Sequence, residues 1–244
     1  MAGKILAVGA LMLALAFSAR ADDSTTNAAA APATPPGPQK PATADQSSGL
    51  FIAPSNDVGI GSDGQVKDQD SYQVRIGELY APGGEAYILP LRLPSLPAGQ
   101  HIATAHIRFQ LVGLSNEANG LAGADLYSLG VRDTNKALPG DYYQGSKSDP
   151  KATLLQANFL TPASKPRTDA STGPFIESSA AGDAALVKAL DDAATNPANA
   201  GKYLLLRISY DADPIPAGNN GYMVLTTGAT GDNEPPLVTY SLKK

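Results

Sequence analysis

From residue 50 onward, apolar and polar residues alternate with a period of two, the spacing of side chains on the two faces of a strand. The clearest run is 102–112, where Ala103, Ala105, Ile107, Phe109 and Leu111 form an apolar row and Thr104, His106, Arg108 and Gln110 a polar one. In 71–76, Tyr72, Val74 and Ile76 oppose Ser71, Gln73 and Arg75. In 86–93, Tyr87, Leu89, Leu91 and Leu93 share a face, and Pro90, lacking a backbone N–H, points to an edge strand or a bulge. Further strands are expected at 124–131, 203–210, 221–227 and 236–242, with a weaker one at 154–160. Gly-, Pro- and Asn-rich clusters such as 82–84, 96–99, 115–120 and 213–221 separate them as turns.

One segment departs from this period. Ala184–Ala194 is rich in helix formers and puts Leu186, Leu190 and Ala193 on one stripe, with Asp183 as the expected N-cap and Pro197 just beyond the end. Seven or more antiparallel strands with one short helix in a crossover predict an all-β fold, an antiparallel β-sandwich of jelly-roll-like form.

The first 49 residues follow another logic. Lys4, the apolar run Ile5–Phe17 and the small residues of Ala19-Arg20-Ala21 read as a signal peptide over 1–21, cleaved before Asp22. Its 13 apolar residues, at about 1.5 Å each, fall short of a hydrocarbon core of ~30 Å, so no transmembrane segment is expected after cleavage. Residues 22–48 hold 7 Ala and 5 Pro, and no Val, Ile, Leu, Met or aromatic residue occurs between Phe17 and Leu50. This composition predicts a disordered Ala/Pro-rich linker, leaving 50–244 as the β-sandwich domain. The chain is thus expected to be secreted or periplasmic. Because it has no Cys, its domain must stand on burial alone, which suits a bacterial exported protein.

Composition narrows the chemistry. Without Cys there is no thiolate zinc site, iron–sulfur cluster or cysteine nucleophile, and 2 His leave little for a histidine-rich metal centre. A net charge of −5 gives no reason to expect nucleic acid as a partner. Ser62-Asp63-Gly64 with Asp68 and Asp70 is loosely spaced like a calcium loop, but it lacks the regular Asp order and the terminal Glu. It reads as a solvated turn, and no cofactor is expected. No G-x-S-x-G is present, and neither His106, on a polar strand face, nor His101, in the preceding turn, has an evident orienting partner. The carboxylate pairs Asp191/Asp192, Asp211/Asp213 and Asp68/Asp70 fall on a helix face or in loops, with no spacing readable between them. The expectation is therefore a non-catalytic protein.

Within this pattern, Leu93-Pro94-Ser95-Leu96-Pro97-Ala98-Gly99 followed by Ile102, Ala105, Ile107 and Arg108 resembles the core of DNRLRE-type domains, which are similar to the family-96 carbohydrate-binding modules. Asp70–Arg75 resembles that family's opening strand. The helix at 184–194, the strand Tyr203–Arg207 and the closing Pro235–Tyr240 follow in the family's order. The chain departs from it in lacking Trp and the literal string DNRLRE. The resemblance implies a secreted jelly-roll-like module, in some members binding glycans.

Sugar recognition generally uses aromatic platforms, and with no Trp these must be tyrosines. Tyr142 and Tyr143, in the Gly-flanked loop 140–145, are the first candidates, with a ring tucked over the sandwich edge as the alternative. The polar face of the 102–112 strand, with His106, Arg108 and Gln110, is the second, with an ordinary wet sheet face as its alternative. The function expected is a secreted non-catalytic module binding polysaccharide. Its rivals are a structural or adhesive surface protein with no glycan site and, third, a polysaccharide hydrolase or lyase.

Overall fold

The computed structural model describes residues 50–67, 73–77, 84–116, 123–142, 152–166, 174–210, 221–227 and 235–244. The expected signal peptide, linker and strand start at 71–72 lie outside these residues. The elements in chain order are β1 (Leu50–Ile52), β2 (Val58–Gly61), β3 (Val66–Lys67), β4 (Gln73–Gly77), β5 (Glu85–Arg92), β6 (His101–Asn116), β7 (Ala124–Arg132), β8 (Thr153–Leu160), β9 (Phe175–Glu177), α1 (Ala180–Ala194), β10 (Tyr203–Tyr210), β11 (Gly221–Thr226) and β12 (Leu237–Lys243). Each strand pairing is antiparallel, and the fold is all-β and jelly-roll-like with one helix, as the alternation predicts.

The strands run in the order β1-β12-β6-β11-β4-β5-β10-β7-β8, with β9 beside β6 and the β2–β3 hairpin beside β5. The turn of this curled sheet is made within β6, whose first half pairs with β12 and whose last residues pair with β11. The two halves close on one core that contains Val74, Ile76, Tyr87, Leu89, Phe109 and Leu206. Phe109 meets Phe159 edge-on, with ring centroids 5.1 Å apart, an arrangement aromatic quadrupoles favour.

A register shift between Ser241 and Leu242 leaves Ala103 as an extra residue in β6. Such a bulge reverses the alternation. Ile102 therefore turns into the core beside Ala105 and Ile107, and Ala103, expected in the apolar row, is only half-buried.

Pro90 lies in a central strand, not an edge strand, with β10 along one side of it. On the other side its carbonyl accepts from Ser55 N at 2.9 Å, and β2 begins only at Val58. The N–H that Pro90 lacks would point to that same side, past the end of β2. The missing donor is therefore not required there.

The strands β5 and β10 are buried on both faces. Their outer face carries a second apolar cluster of Ile60, Ala86, Ile88 and Leu205, against which Tyr142 and Tyr203 pack. Arg207 sits among these side chains at 1% exposure, donating to the Asp141 carbonyl at 3.2 Å with its guanidinium 4.8 Å from the Tyr127 ring centre. Asp141, also buried, receives both Arg132 Nη1, at 2.8 Å, and Nη2. A buried charge survives in a protein only when paired in this way.

The helix α1 presents Leu186, Leu190 and Ala193 to the core, the stripe its sequence predicts. Its start differs. Ser179, not Asp183, is the N-cap, accepting from Gly182 N at 3.2 Å, and Asp183 lies inside the first turn. The extra turn holds Gly182, whose helix propensity is poor. It is needed because Gln156 Oε1, which accepts from Ser179 N at 2.8 Å, occupies the space that a Cβ would take.

Candidate functional site

In an antiparallel pair, directly opposed residues share a face. Register therefore lays out the outer surface of β1, β12, β6 and β9. Phe51 opposes Thr239, which opposes His106; in the next row Leu237 opposes Arg108, which opposes Glu177; and Ser241 opposes Thr104. Phe51 is 65% exposed, the most open large apolar side chain among the described residues. The guanidinium of Arg108 lies 4.5 Å from the centre of the Phe175 ring, and the hydroxyls of Thr104 and Ser241 are 2.6 Å apart. The face thus combines an open phenyl ring, a stacked cation–π pair and several hydroxyls across four strands spaced about 4.8 Å apart.

The polar row predicted on β6 does not stay on this surface to its end. Thr104, His106 and Arg108 reach solvent, but Gln110, opposite Phe175 in the β6–β9 pairing, is fully buried, with its backbone N–H directed to Thr226 Oγ1 at 3.4 Å. Phe51 and Phe175 carry no alternating signal of their own, being in strands of three residues.

Both histidines have partners, contrary to expectation. His101 Nδ1 lies 3.0 Å from Asp191 Oδ2, and the other oxygen of that carboxylate accepts from Ile102 N at 2.7 Å. His106 Nδ1 lies 3.0 Å from Asp183 Oδ1 and 3.2 Å from Ser178 Oγ, and its Nε2 lies 3.9 Å from Glu177 Oε2. All four aspartate and serine contacts come from α1 or the residue pair before it, and they tie the helix along the stretch of β6 before β9 that, among the described residues, is paired on one side only.

Ser178, His106 and Asp183 have the residue types of a hydrolytic triad but not its geometry. A triad needs the hydroxyl on one ring nitrogen and the carboxylate on the other. Here both sit at Nδ1, and the Ser178 hydroxyl donates to Asp183 while accepting from Ile107 N at 3.0 Å. The cluster anchors; it does not relay a proton from serine.

The carboxylate pair Asp191/Asp192 is split, Asp191 turning onto β6 and Asp192 pairing outward with Lys188 Nζ at 2.6 Å. Asp211, Asp213, Asp68 and Asp70 lie outside the described residues. Asp63 closes the β2–β3 turn, accepting from Gln65 N at 3.0 Å and Lys67 Nζ at 2.8 Å, the turn chemistry its sequence suggests. These two contacts hold its carboxyl below the ordinary aspartate value, the lysine bond being the larger influence.

Of the tyrosine pair, Tyr143 lies outside the described residues. Tyr142 is half-buried, its ring on the second apolar cluster, directly after the short 3-10 turn Pro139–Asp141. A groove of about 550 Å³ opens between α1 and the strands β7 and β8, walled by Val131, Leu154, Leu155 and Ala189 with no aromatic ring.

No protein-family model matches the chain, and no curated protein matches it.

Proposed function

We propose that this chain is an exported, non-catalytic module that binds polysaccharide through the outer face of β1, β12, β6 and β9. The observation that carries the reading is the exposed Phe51 ring on the same face as the Arg108–Phe175 stack and the hydroxyls of Thr104, Thr239 and Ser241. Sugar rings present an apolar face and a polar rim. A phenyl ring covers the first, while guanidinium and hydroxyl groups bond the second. The resemblance of Leu93–Arg108 to DNRLRE-type domains supports the same reading.

The test is a printed array of polysaccharides probed with the full chain and with Phe51→Ala. Since Phe51 lies at the surface, its removal should leave the melting temperature nearly unchanged. Binding should weaken by about 1 kcal/mol or more, as for an exposed aromatic anchor. Binding unchanged by this substitution would exclude the face, and no binding to any polysaccharide would return the chain to the structural or adhesive class.

A further inference from the structure

The outer face offers two kinds of contact at a readable separation. Phe51 on β1 stands opposite Thr239, and Ser241, two residues further along β12, stands opposite the exposed Thr104 on β6. The Thr104 and Ser241 hydroxyls lie 2.6 Å apart. One bond joins them, which leaves one O–H to donate and lone pairs on both oxygens, the complement of neighbouring hydroxyls on a sugar ring. Strands lie about 4.8 Å apart and rise about 3.4 Å per residue, so the pair stands roughly 10 Å from Phe51, obliquely across the strands. One sugar ring does not reach that far; the third ring of a chain stacked on Phe51 does.

The charges around this path balance. Phe51, Thr239, Ser241 and Thr104 carry none. On one side of them Arg108 stands opposite Glu177, and on the other Lys243 stands opposite His101, whose ring meets Asp191 at 3.0 Å. The chain as a whole carries −5, which disfavours a polyanion as its ligand. Among the described residues β1 pairs with β12 alone, so a chain can cross this edge of the sheet without presenting its end.

We propose that the polysaccharide read by this face is uncharged and is bound along its length, through at least three linked sugars: one ring stacks on Phe51, and the second ring beyond it bonds the Thr104–Ser241 hydroxyl pair. The inference rests on the polysaccharide reading above and adds to it a class of ligand and a minimum length.

The full chain is first applied to the printed array at low and high salt. Uncharged polysaccharides should be retained over uronate-bearing and sulfated ones, with no loss as salt rises. The polysaccharide held most strongly is then cut to a ladder of one to six sugars for calorimetry. Affinity should rise about tenfold between two and four sugars and then level off, the worth of one or two hydrogen bonds. In the double variant Thr104→Val with Ser241→Ala, which removes both hydroxyls from the surface, six sugars should bind as weakly as two. The affinity for two sugars should stay that of the parent. Thr104→Ser, which keeps the hydroxyl pair, should bind every length as the parent does, and Phe51→Ala should weaken every length. Preference for polyanions, equal affinity for two and six sugars, or a length gain that survives loss of both hydroxyls overturns the proposal and leaves the polysaccharide reading standing. An array blank throughout removes that reading and this inference with it.

Discussion

Phe109 and Arg108 are adjacent residues facing opposite ways. Phe109 is wholly buried against Phe159, and Arg108 lies on the outer face over Phe175. Phe109→Ala should cost about 3–5 kcal/mol, through lost burial and the cavity left behind. Arg108→Ala should cost about 1 kcal/mol or less, the worth of an exposed cation–π pair. Denaturant melts of the two variants check the register of β6 directly. Asp191 gives the pH dependence. Partial burial raises its pKa, but the hydrogen bonds from His101 and Ile102 N, with the charges of His101 and Lys243, outweigh this and leave it below the ordinary value of 3.8. A depressed carboxyl contributes stability above its unfolded pKa and loses it as pH falls through the folded one. The difference in melting temperature between the parent and Asp191→Asn should therefore be largest above pH 3.8 and shrink below it.

At the scale of elements, longer strands such as β4 and β6 were legible because mainly one face meets the core, so burial writes itself into the sequence with period two, while β5 and β10, buried on both faces, showed as mostly apolar runs bounded by turn residues. β1, β2, β3 and β9 were not, having four residues or fewer, too few for a period to show. Those short strands also supply Phe51, Phe175 and Glu177, so half of the candidate site was hidden with them. The Thr104, His106 and Arg108 half was visible as a row on β6. The role of His106 was not, since its partners Asp183 and Glu177 lie more than seventy residues away in sequence. The start of α1 was missed for a related reason: Gly182 looks like a helix breaker until Gln156, from β8, is seen to fill its Cβ space. Gly182→Ala should accordingly destabilise the protein, against the gain of up to ~1 kcal/mol usual for Gly→Ala in a helix. Thermal melts of that variant, with and without Gln156→Ala to vacate the space, distinguish the two effects.

For the described domain as a whole, the pairing of its first and last strands has a mechanical consequence. Leu50 lies opposite Tyr240, so β1 begins beside the middle of β12 and runs in the opposite direction toward that strand's start, away from Lys243. A load applied between Leu50 and Lys243 acts at one end of that ladder and opens its bonds one after another, as a zipper opens, instead of shearing them together. β1 has three residues and would detach first, exposing β12, whose seven residues pair along β6 and peel in the same sense. Optical-tweezer pulling from these two points should show early yielding at low force. Pulling between β1 and a handle at Arg92, within β5, would have to load the central strands and should meet a distinctly higher rupture force. The expected result is a domain that yields readily along its own chain direction and resists across it.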